Sequence, residues 1–339
     1  MKKNYLITGG AGFIGSNYVY RLLKRGENVT IYDNLSRTKR NIEWLKEEFG
    51  ENAFQLVVGD VREADRITES AASADVIVHL AGQVAVTTSV VDPRDDFESN
   101  ALGTFNVLEA ARASGRNPIF IYASTNKVYG GMEEVELFEE PTRWRYKDLI
   151  QGCPETQPLD FHSPYGCSKG TGDQYVRDYS RIYGLRSVVY RQSCIYGTRQ
   201  FGIEDQGWVA WFIIAAATGK PITIYGDGKQ VRDILFVDDL LNAYDLAVEK
   251  IDVAKGQVYN LGGGPQNVMS IWAEFQPKLE NLLGKPLNVA RGDWRPGDQR
   301  VFYADIRKAE KELGWKPAVN VDEGVQKLFN WVLENKNLF

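Results

Sequence analysis

The sequence predicts an α/β fold: a Rossmann-type doubly wound parallel sheet with a smaller C-terminal α/β substrate lobe. Three observations carry that expectation. Short apolar, β-branched or aromatic runs alternate with helical stretches through the first half of the 339 residues. A glycine-rich turn follows the first run and opens a helix. In the last third the alternation fades into shorter segments separated by turn signals. Strand, helix, strand in repetition is the pattern of a parallel sheet covered by helices on both faces.

Strands are predicted at Asn4–Thr8, Val29–Asp33, Phe54–Val58, Val76–Leu80 and Ile119–Ala123, with helices at Phe13–Arg25, Asn41–Phe49 and Phe97–Ala113. In the last helix Phe97, Ala101, Leu102, Phe105, Leu108 and Ala111 recur at helical spacing and predict one apolar face. From Gly130 to His162 the rhythm stops. Glu133, Glu134, Glu136, Glu139, Glu140 and three prolines predict an irregular surface excursion there, either a cover over a site or a decoration. Beyond it, Gly226-Asp227-Gly228 and Gly262-Gly263-Gly264 punctuate a smaller lobe. The expected division is 1–196 for a dinucleotide-binding domain, to which later segments return, and 197–339 for the substrate lobe.

Composition removes several classes of function. With 40 Lys+Arg against 45 Asp+Glu the net charge is −5, which gives no electrostatic footprint for nucleic acid or an anionic membrane. The longest apolar run, Trp208 to Ala217, is too short to span a bilayer. Two histidines and no zinc-type spacing argue against a metal, and no nucleophile elbow of the G-x-S-x-G form is present. Cys153, Cys167 and Cys194 make no disulfide framework. Lys2 and Lys3 lead straight into a strand-like run rather than an apolar leader, so a cytoplasmic location is expected.

Thr8-Gly9-Gly10-Ala11-Gly12-Phe13-Ile14-Gly15 lets backbone approach a pyrophosphate at a helix N-terminus, where unpaired N–H groups favour an anion. The next strand ends in Asp33, whose carboxylate suits the two hydroxyls of an adenosine ribose and repels a 2′-phosphate. NAD is therefore expected rather than NADP, with Asn34, Ser36 and Arg37 as further cofactor-binding candidates; Arg37, Lys39 and Arg40 are the cations that would compensate a phosphate. Asp60 and Val61 close the third strand near the adenine. Leu80, Ala81 and Gly82 close the fourth, at the carboxyl edge where ligands sit. His79, in an apolar strand, is expected to be a satisfied core histidine.

Tyr165 and Lys169 stand at i and i+4, on one helix face. A cation beside a tyrosine lowers its pKa from ~10 toward a range where the phenolate accepts a proton; the alternative is a surface pair. Ser124-Thr125-Asn126-Lys127-Val128-Tyr129-Gly130 adds hydroxyls at the same sheet edge.

With these motifs the sequence resembles the extended short-chain dehydrogenase/reductase family acting on nucleotide sugars. The T-G-x-x-G-x-x-G turn, the S-T-x-x-V-Y-G segment and Y-x-x-x-K stand in that family's order. The likeness continues through Arg191, Tyr196-Gly197, Gly226-Asp227-Gly228-Lys229-Gln230-Val231-Arg232-Asp233, Phe236-Val237-Asp238-Asp239-Leu240 and Gly314-Trp315-Lys316-Pro317, so it covers essentially the whole chain. The resemblance implies that Tyr165 is the proton acceptor, Lys169 its tuner and a ribose ligand, and Thr125 the hydroxyl that orients the sugar. It also implies Asn100 and Ala123 beside the cofactor.

For the nucleotide diphosphate the resemblance points to Arg232, Arg300 and Arg199, and to Gln206, Gly207, Trp208 and Val209 at a helix start. Tyr225 would stack on the base, and Thr87, Asn126, Gln192 and Ser193 would line the sugar pocket. An ion pair with Asp298 or Asp233 is the alternative for an arginine here, and an interior ring the alternative for Tyr225. His79-Leu80-Ala81-Gly82-Gln83-Val84-Ala85, Asp160-Phe161-His162-Ser163-Pro164-Tyr165 and Asp205-Gln206-Gly207-Trp208-Val209 look most like members that epimerise a CDP-linked sugar at C2. Dehydratases of the family carry Asp and Glu after the catalytic Thr; here Asn126 and Lys127 stand there. A homodimer or homotetramer is expected, with the 97–113 helix and the one starting near Tyr165 as the shared face.

Overall fold

The computed structural model describes residues 2–295 and 298–339. Its first part runs β1 (Asn4–Thr8), α1 (Phe13–Lys24), β2 (Asn28–Asp33), α2 (Arg40–Phe49), β3 (Gln55–Val58), α3 (Ala64–Ala71) and β4 (Val76–His79). Next come α4 (Val86–Val91), α5 (Pro93–Phe97), a π-helical turn at Glu98–Leu102, α6 (Gly103–Ala113) and β5 (Ile119–Thr125). A hairpin of β6 (Leu137–Glu139) and β7 (Trp144–Tyr146) precedes α7 (Ser163–Tyr183), β8 (Arg186–Gln192) and β9 (Cys194–Tyr196). Then follow α8 (Trp208–Thr218), β10 (Thr223–Tyr225), β11 (Val231–Phe236), α9 (Val237–Glu249), α10 (Ile251–Ala254) and β12 (Val258–Leu261). The chain closes with β13 (Val268–Ser270), α11 (Phe275–Leu283), β14 (Ala290–Gly292), β15 (Val301–Phe302), α12 (Arg307–Leu313) and α13 (Val321–Glu334).

Seven strands form one sheet in the order β12-β8-β5-β4-β1-β2-β3. β1 pairs in parallel with β2 on one side and β4 on the other, so Tyr5 lies between Val29 and Val76. The strand order reverses at β1, and in such sheets that reversal opens the ligand crevice at the carboxyl ends. The inner strands are apolar on both faces because helices cover both; Leu6, Ile77, Phe120 and Val189 share one core with Leu108, Val176 and Tyr179. Among the described residues no helix is long and apolar enough to cross a membrane.

The chain forms two compact, interleaved units. One comprises Met1–Val128, Ser163–Arg191 and Leu241–Tyr259; the other comprises Tyr129–His162, Gln192–Leu240 and Asn260–Phe339. The excursion after Gly130 thus goes with the second unit. It is also less irregular than its composition suggests. β6 and β7 pair antiparallel, and the turn between them closes with the Glu140 N–H donating to Arg143 at 2.8 Å. Two three-residue strands around Pro141 are too short to show a period of two in sequence.

The single apolar face expected from 97 to 113 is also corrected. The π turn at Glu98–Leu102 offsets the faces on either side of it. Ala101, Leu108 and Ala111 are buried, whereas Phe97, Leu102 and Phe105 are exposed.

α7 is tied to the sheet by a buried ion pair. Arg191 on β8 meets Asp173 on α7 at 2.9 and 3.0 Å, both side chains essentially without solvent, and Ser124 on β5 donates to the same carboxylate at 2.8 Å. Removing one partner strands the other's charge in the interior. Arg191→Leu should therefore cost about 3–5 kcal/mol, and adding Asp173→Asn should recover part of that loss. Denaturant unfolding of the single and double variants checks this, and a double variant less stable than the single would contradict it.

Candidate active site

In the first unit, backbone shapes the cradle after β1. Gly9 sits at φ +69° and receives no side chain without conflict: a Cβ there would lie 2.7 Å from the Ala81 nitrogen. At Gly15 it would lie 2.3 Å from the Gly9 carbonyl oxygen. The N-cap of α1 is Gly12, which offers no capping side chain, and the first turn holds no acid, so its N–H groups stay available to an anion. Asp33 closes β2, accepting the Ala11 N–H at 2.9 Å and the Leu35 N–H at 2.8 Å while burial pushes its carboxyl above the ordinary range.

Asn34 donates to Asp60 at 3.0 Å and accepts the Ser36 N–H at 3.1 Å, forming a small polar rim; burial lowers the Arg37 guanidinium. Asp60 is not a free carboxylate: hydrogen bonds from Arg62 lower it to about 2. Val61 is buried, and its carbonyl accepts from Asn106 at 2.9 Å. The Thr8 hydroxyl accepts the Leu80 and Ala81 N–H groups at 3.2 and 3.3 Å, fixing the end of β4. Asn100, in the π turn, donates to Asp96 and Ser168, but its buried carbonyl oxygen has no partner. That oxygen faces Gly82, where a Cβ would lie 2.3 Å from it. A glycine-lined cradle with an orphaned buried acceptor beside it fits a dinucleotide. His79 is a core histidine, bridging Thr8 at 2.7 Å and Thr104 at 3.0 Å, and burial pushes it down to about 3.

The same unit carries Tyr165 and Lys169, one turn apart on α7, and Thr125 at the end of β5. Two hydroxyls order the start of α7: Ser89 accepts the Tyr165 N–H and Ser163 the Gly166 N–H, both at 3.2 Å. These bonds satisfy donors that a helix start leaves open. Thr125, the last residue of β5, hydrogen-bonds the Tyr165 phenol. Its oxygen also accepts the Lys127 N–H at 3.2 Å, so the hydroxyl proton is directed to the phenol or to the Asn126 carbonyl at 3.4 Å. Lys169 lies with its ammonium 4.4 Å from the Tyr122 ring centre. Ala123, next along β5, is half-buried, whereas Thr87 on α4 is exposed.

The electrostatics depart from the sequence reading. Lys169 was expected to set the tyrosine's pKa. Instead burial pushes Tyr165 up to about 12, the Thr125 hydrogen bond pulls it down, and the Asp96 charge pushes it up again. Burial also pushes Lys169 down to about 8, against the pull of Asp173 and Asp96. Desolvation of both groups outweighs their shared helix face.

In the second unit, Arg232 is committed: it donates to Asp298 at 2.6 Å and to the Gln299 carbonyl at 2.7 Å, and it is almost fully buried. Its partner is the Asp298 of the ion-pair alternative, although the pair is largely buried and not the surface one expected. Arg300 lies against Trp144 and Trp294, its guanidinium carbon 4.6 and 5.7 Å from the ring centres. Arg199, at φ +65°, lies 5.7 Å from the Trp331 ring centre. Tyr225 is half-buried rather than interior; Arg295 covers its ring at 4.0 Å and Glu204 accepts its hydroxyl at 3.1 Å. Gly207 caps α8 in the left-handed conformation, Gln206 pairs with Ile203 through backbone, and Val209 is core. Trp208 has a buried indole N–H without a partner. Gln192 is buried, and Ser193 donates to the buried Asp233. Sequence reasoning missed Trp144, Trp294 and Arg295. The run of aromatic and cationic residues from 294 to 300 was the available signal.

The GDP-mannose 4,6 dehydratase family matches residues 6–328 of the chain. A CDP-paratose 2-epimerase of Salmonella typhi is 44% identical over 335 residues, covering 96% of this chain and 98% of the relative. The chain belongs to this family of nucleotide-sugar epimerases and dehydratases. Solved family structures share its fold. A UDP-glucose 4-epimerase of Thermotoga maritima, solved with UDP-glucose, superimposes with a TM-score of 0.84 at 31% identity, covering 99% of this chain and 100% of that one. A dTDP-glucose 4,6-dehydratase of Streptomyces venezuelae, solved with NAD, gives 0.85 at 28%, covering 99% and 98%. The chain is an enzyme, and its family chemistry is nucleotide-sugar epimerisation or dehydration.

Because the Thr125 hydrogen bond is what lowers the Tyr165 phenol, Thr125→Val should raise it further. Proton acceptance needs the phenolate, so the rising limb of the kcat/KM pH profile should move to higher pH in the variant. An unmoved limb would mean that another group sets it.

Proposed function

We propose that the protein is an isomerase that inverts C2 of a CDP-linked sugar, in the manner of CDP-paratose to CDP-tyvelose. The observation that carries the reading is the set of side chains at the end of β5 and the start of α7. Thr125 hydrogen-bonds Tyr165, Lys169 follows one turn along α7, and the positions after Thr125 hold Asn126 and Lys127. An amide neither gives nor takes a proton usefully at neutral pH, and an ammonium is no base, so elimination of water lacks an acid–base pair. The 44% identity to a CDP-paratose 2-epimerase supports C2 and the CDP carrier over the C4, UDP-linked alternative.

NAD is the cofactor. It would be held by Gly9, Gly12, Phe13, Ile14 and Gly15 at the pyrophosphate, by Asp33, Asn34, Ser36 and Arg37 around the adenosine ribose, and by Asp60 and Val61 near the adenine. Leu80, Ala81, Gly82, Asn100 and Ala123 complete the set. The chemistry that NAD supplies when bound is reversible hydride acceptance. Tyr165 takes the proton of the C2 hydroxyl and later returns it. Thr125 holds that hydroxyl against the phenol, and Lys169 contributes positive charge and a ribose contact. The resulting keto-sugar then turns over and is reduced on its other face. The second unit binds the nucleotide: Arg300, with Arg232, Arg199 and the start of α8 from Gln206 to Val209, takes the diphosphate, and Tyr225 takes the base. Thr87, Asn126, Gln192 and Ser193 are assigned to the sugar.

Purified protein incubated with CDP- and UDP-linked sugars in D₂O, followed by proton NMR and mass spectrometry, tests this. The expected result is a C2 epimer from the CDP sugar with no deuterium in the carbon skeleton. A C4 epimer would replace the reading with the UDP-linked alternative, deuterium at C2 or C3 would mean deprotonation beside a carbonyl, and a product lighter by one water would mean dehydration.

The same proposal extends to assembly. Phe97, Leu102, Phe105, Tyr175, Ile182 and Tyr183 are exposed on the 93–113 helical segment and α7. Such a face suits a two-fold pair of copies. Light scattering at micromolar concentration should show a dimer or a tetramer, and only monomer would remove the idea.

A further inference from the structure

The hairpin of β6 and β7 has no place yet in the chemistry, although it is fastened at several points around Trp144. Arg143, just before β7, holds Glu274 through two bonds of 2.7 Å, and Thr142 reaches the same carboxylate at 2.9 Å. Lys229 pairs with Glu139 on β6 at 2.7 Å. The Trp144 N–H donates to the Lys229 carbonyl at 3.1 Å, and its indole N–H donates to Asp227 at 2.7 Å. The hairpin is therefore fastened to the Gly226-Asp227-Gly228-Lys229 turn, and the plane of the Trp144 ring is fixed at both its backbone and its edge.

Arg300 meets that ring. Its backbone is already set, because its carbonyl accepts the Val231 N–H at 2.8 Å and the next residue pairs in β15 with β11. Tyr146, at the other end of β7, donates to the Val301 carbonyl at 3.0 Å, so the hairpin strand grips the chain immediately beyond Arg300. The guanidinium then lies 4.6 Å from the Trp144 ring centre. Stacking uses the flat face of a guanidinium and leaves its N–H donors at the edge, the geometry in which Arg meets phosphate oxygens. Arg232 offers no equal substitute, since its Nη2 is held by Asp298 and the Gln299 carbonyl and its Nη1 by the Val231 carbonyl.

We infer that Trp144, carried by the hairpin, is a positioning residue that orients Arg300 for the nucleotide diphosphate. The inference rests on the reading that Arg300 binds that diphosphate. It gives the excursion a defined job: recognition of a charge that every nucleoside diphosphate carries, with no selection among bases.

The test is calorimetric titration of the NAD-loaded protein with CDP, UDP, dTDP and cytidine. Trp144→Ala should weaken all of the diphosphates that bind by a common factor, roughly three- to tenfold, and leave cytidine unchanged. Trp144→Phe, which keeps a stacking face, should restore most of the loss. In turnover the Ala variant should show the change in KM, with kcat nearly unaltered. Arg300→Lys keeps the charge without the flat face; it should show the same loss, and Trp144→Ala added to it should lower affinity no further. Full diphosphate affinity in Arg300→Lys overturns the inference even if Trp144→Ala fails to fold. A loss equal for cytidine, or confined to one base, overturns it as well. Preference for UDP or dTDP over CDP would count against the proposed substrate, while a common loss across the diphosphates would still uphold the role of Trp144.

Discussion

The buried contact between Asp173 and Arg191 is the constraint on which the proposed catalytic end of the first unit depends. Asp173 stands one turn beyond Lys169 on α7, Ser124 immediately precedes Thr125 on β5, and Arg191 lies on β8. One carboxylate therefore fixes the helix that carries the phenol and ammonium against the strand that carries the hydroxyl. Two charges out of water bring little net stability, because desolvation offsets their attraction. What they enforce is register: α7 cannot rotate or slide without separating them. A buried pair suits a site that must hold three polar side chains to within a fraction of an ångström.

The pKa pattern follows from the same enclosure. Tyr165 and Lys169 are both pushed toward their neutral forms by burial, the phenol to about 12 and the ammonium to about 8. Each neighbour then matters more, since few other groups offset the loss of water. The Thr125 hydrogen bond pulls the phenol down, and the Asp173 and Asp96 charges pull the lysine up. His79 stays neutral nearby, so it adds no competing cation to the site.

Much of this was legible because its signals are local. The turn from Gly9 to Gly15 needs glycine for backbone reasons that a Cβ at Gly9 or Gly15 makes concrete, and Asp33 ends the next strand as expected. Tyr165 and Lys169 stand out by their i, i+4 spacing together with the Ser124–Gly130 segment at the same sheet edge. The direction of the tyrosine's shift was not legible, because it depends on how completely distant chain encloses the ring. The π turn at Glu98–Leu102 was hidden for another reason: its residues favour a helix, and nothing in their order reveals the extra residue in that turn. The hairpin was missed because its strands are short, and Trp144 gains meaning only beside Asp227 and Arg300, far away in sequence.

The interleaving of the chain bears on how the protein is made. The first unit draws on Leu241–Tyr259 as well as on residues before 192, and β12 at its sheet edge arrives only with Val258–Leu261. A ribosome releases the nucleotide cradle early, but the sheet behind it is unfinished until most of the chain has emerged. Until then β8 presents an unpaired apolar edge, a natural template for wrong partners. Pairings of such long sequence separation also form slowly. Production of this enzyme should therefore be more sensitive to translation speed and chaperone supply than its ordinary composition would suggest.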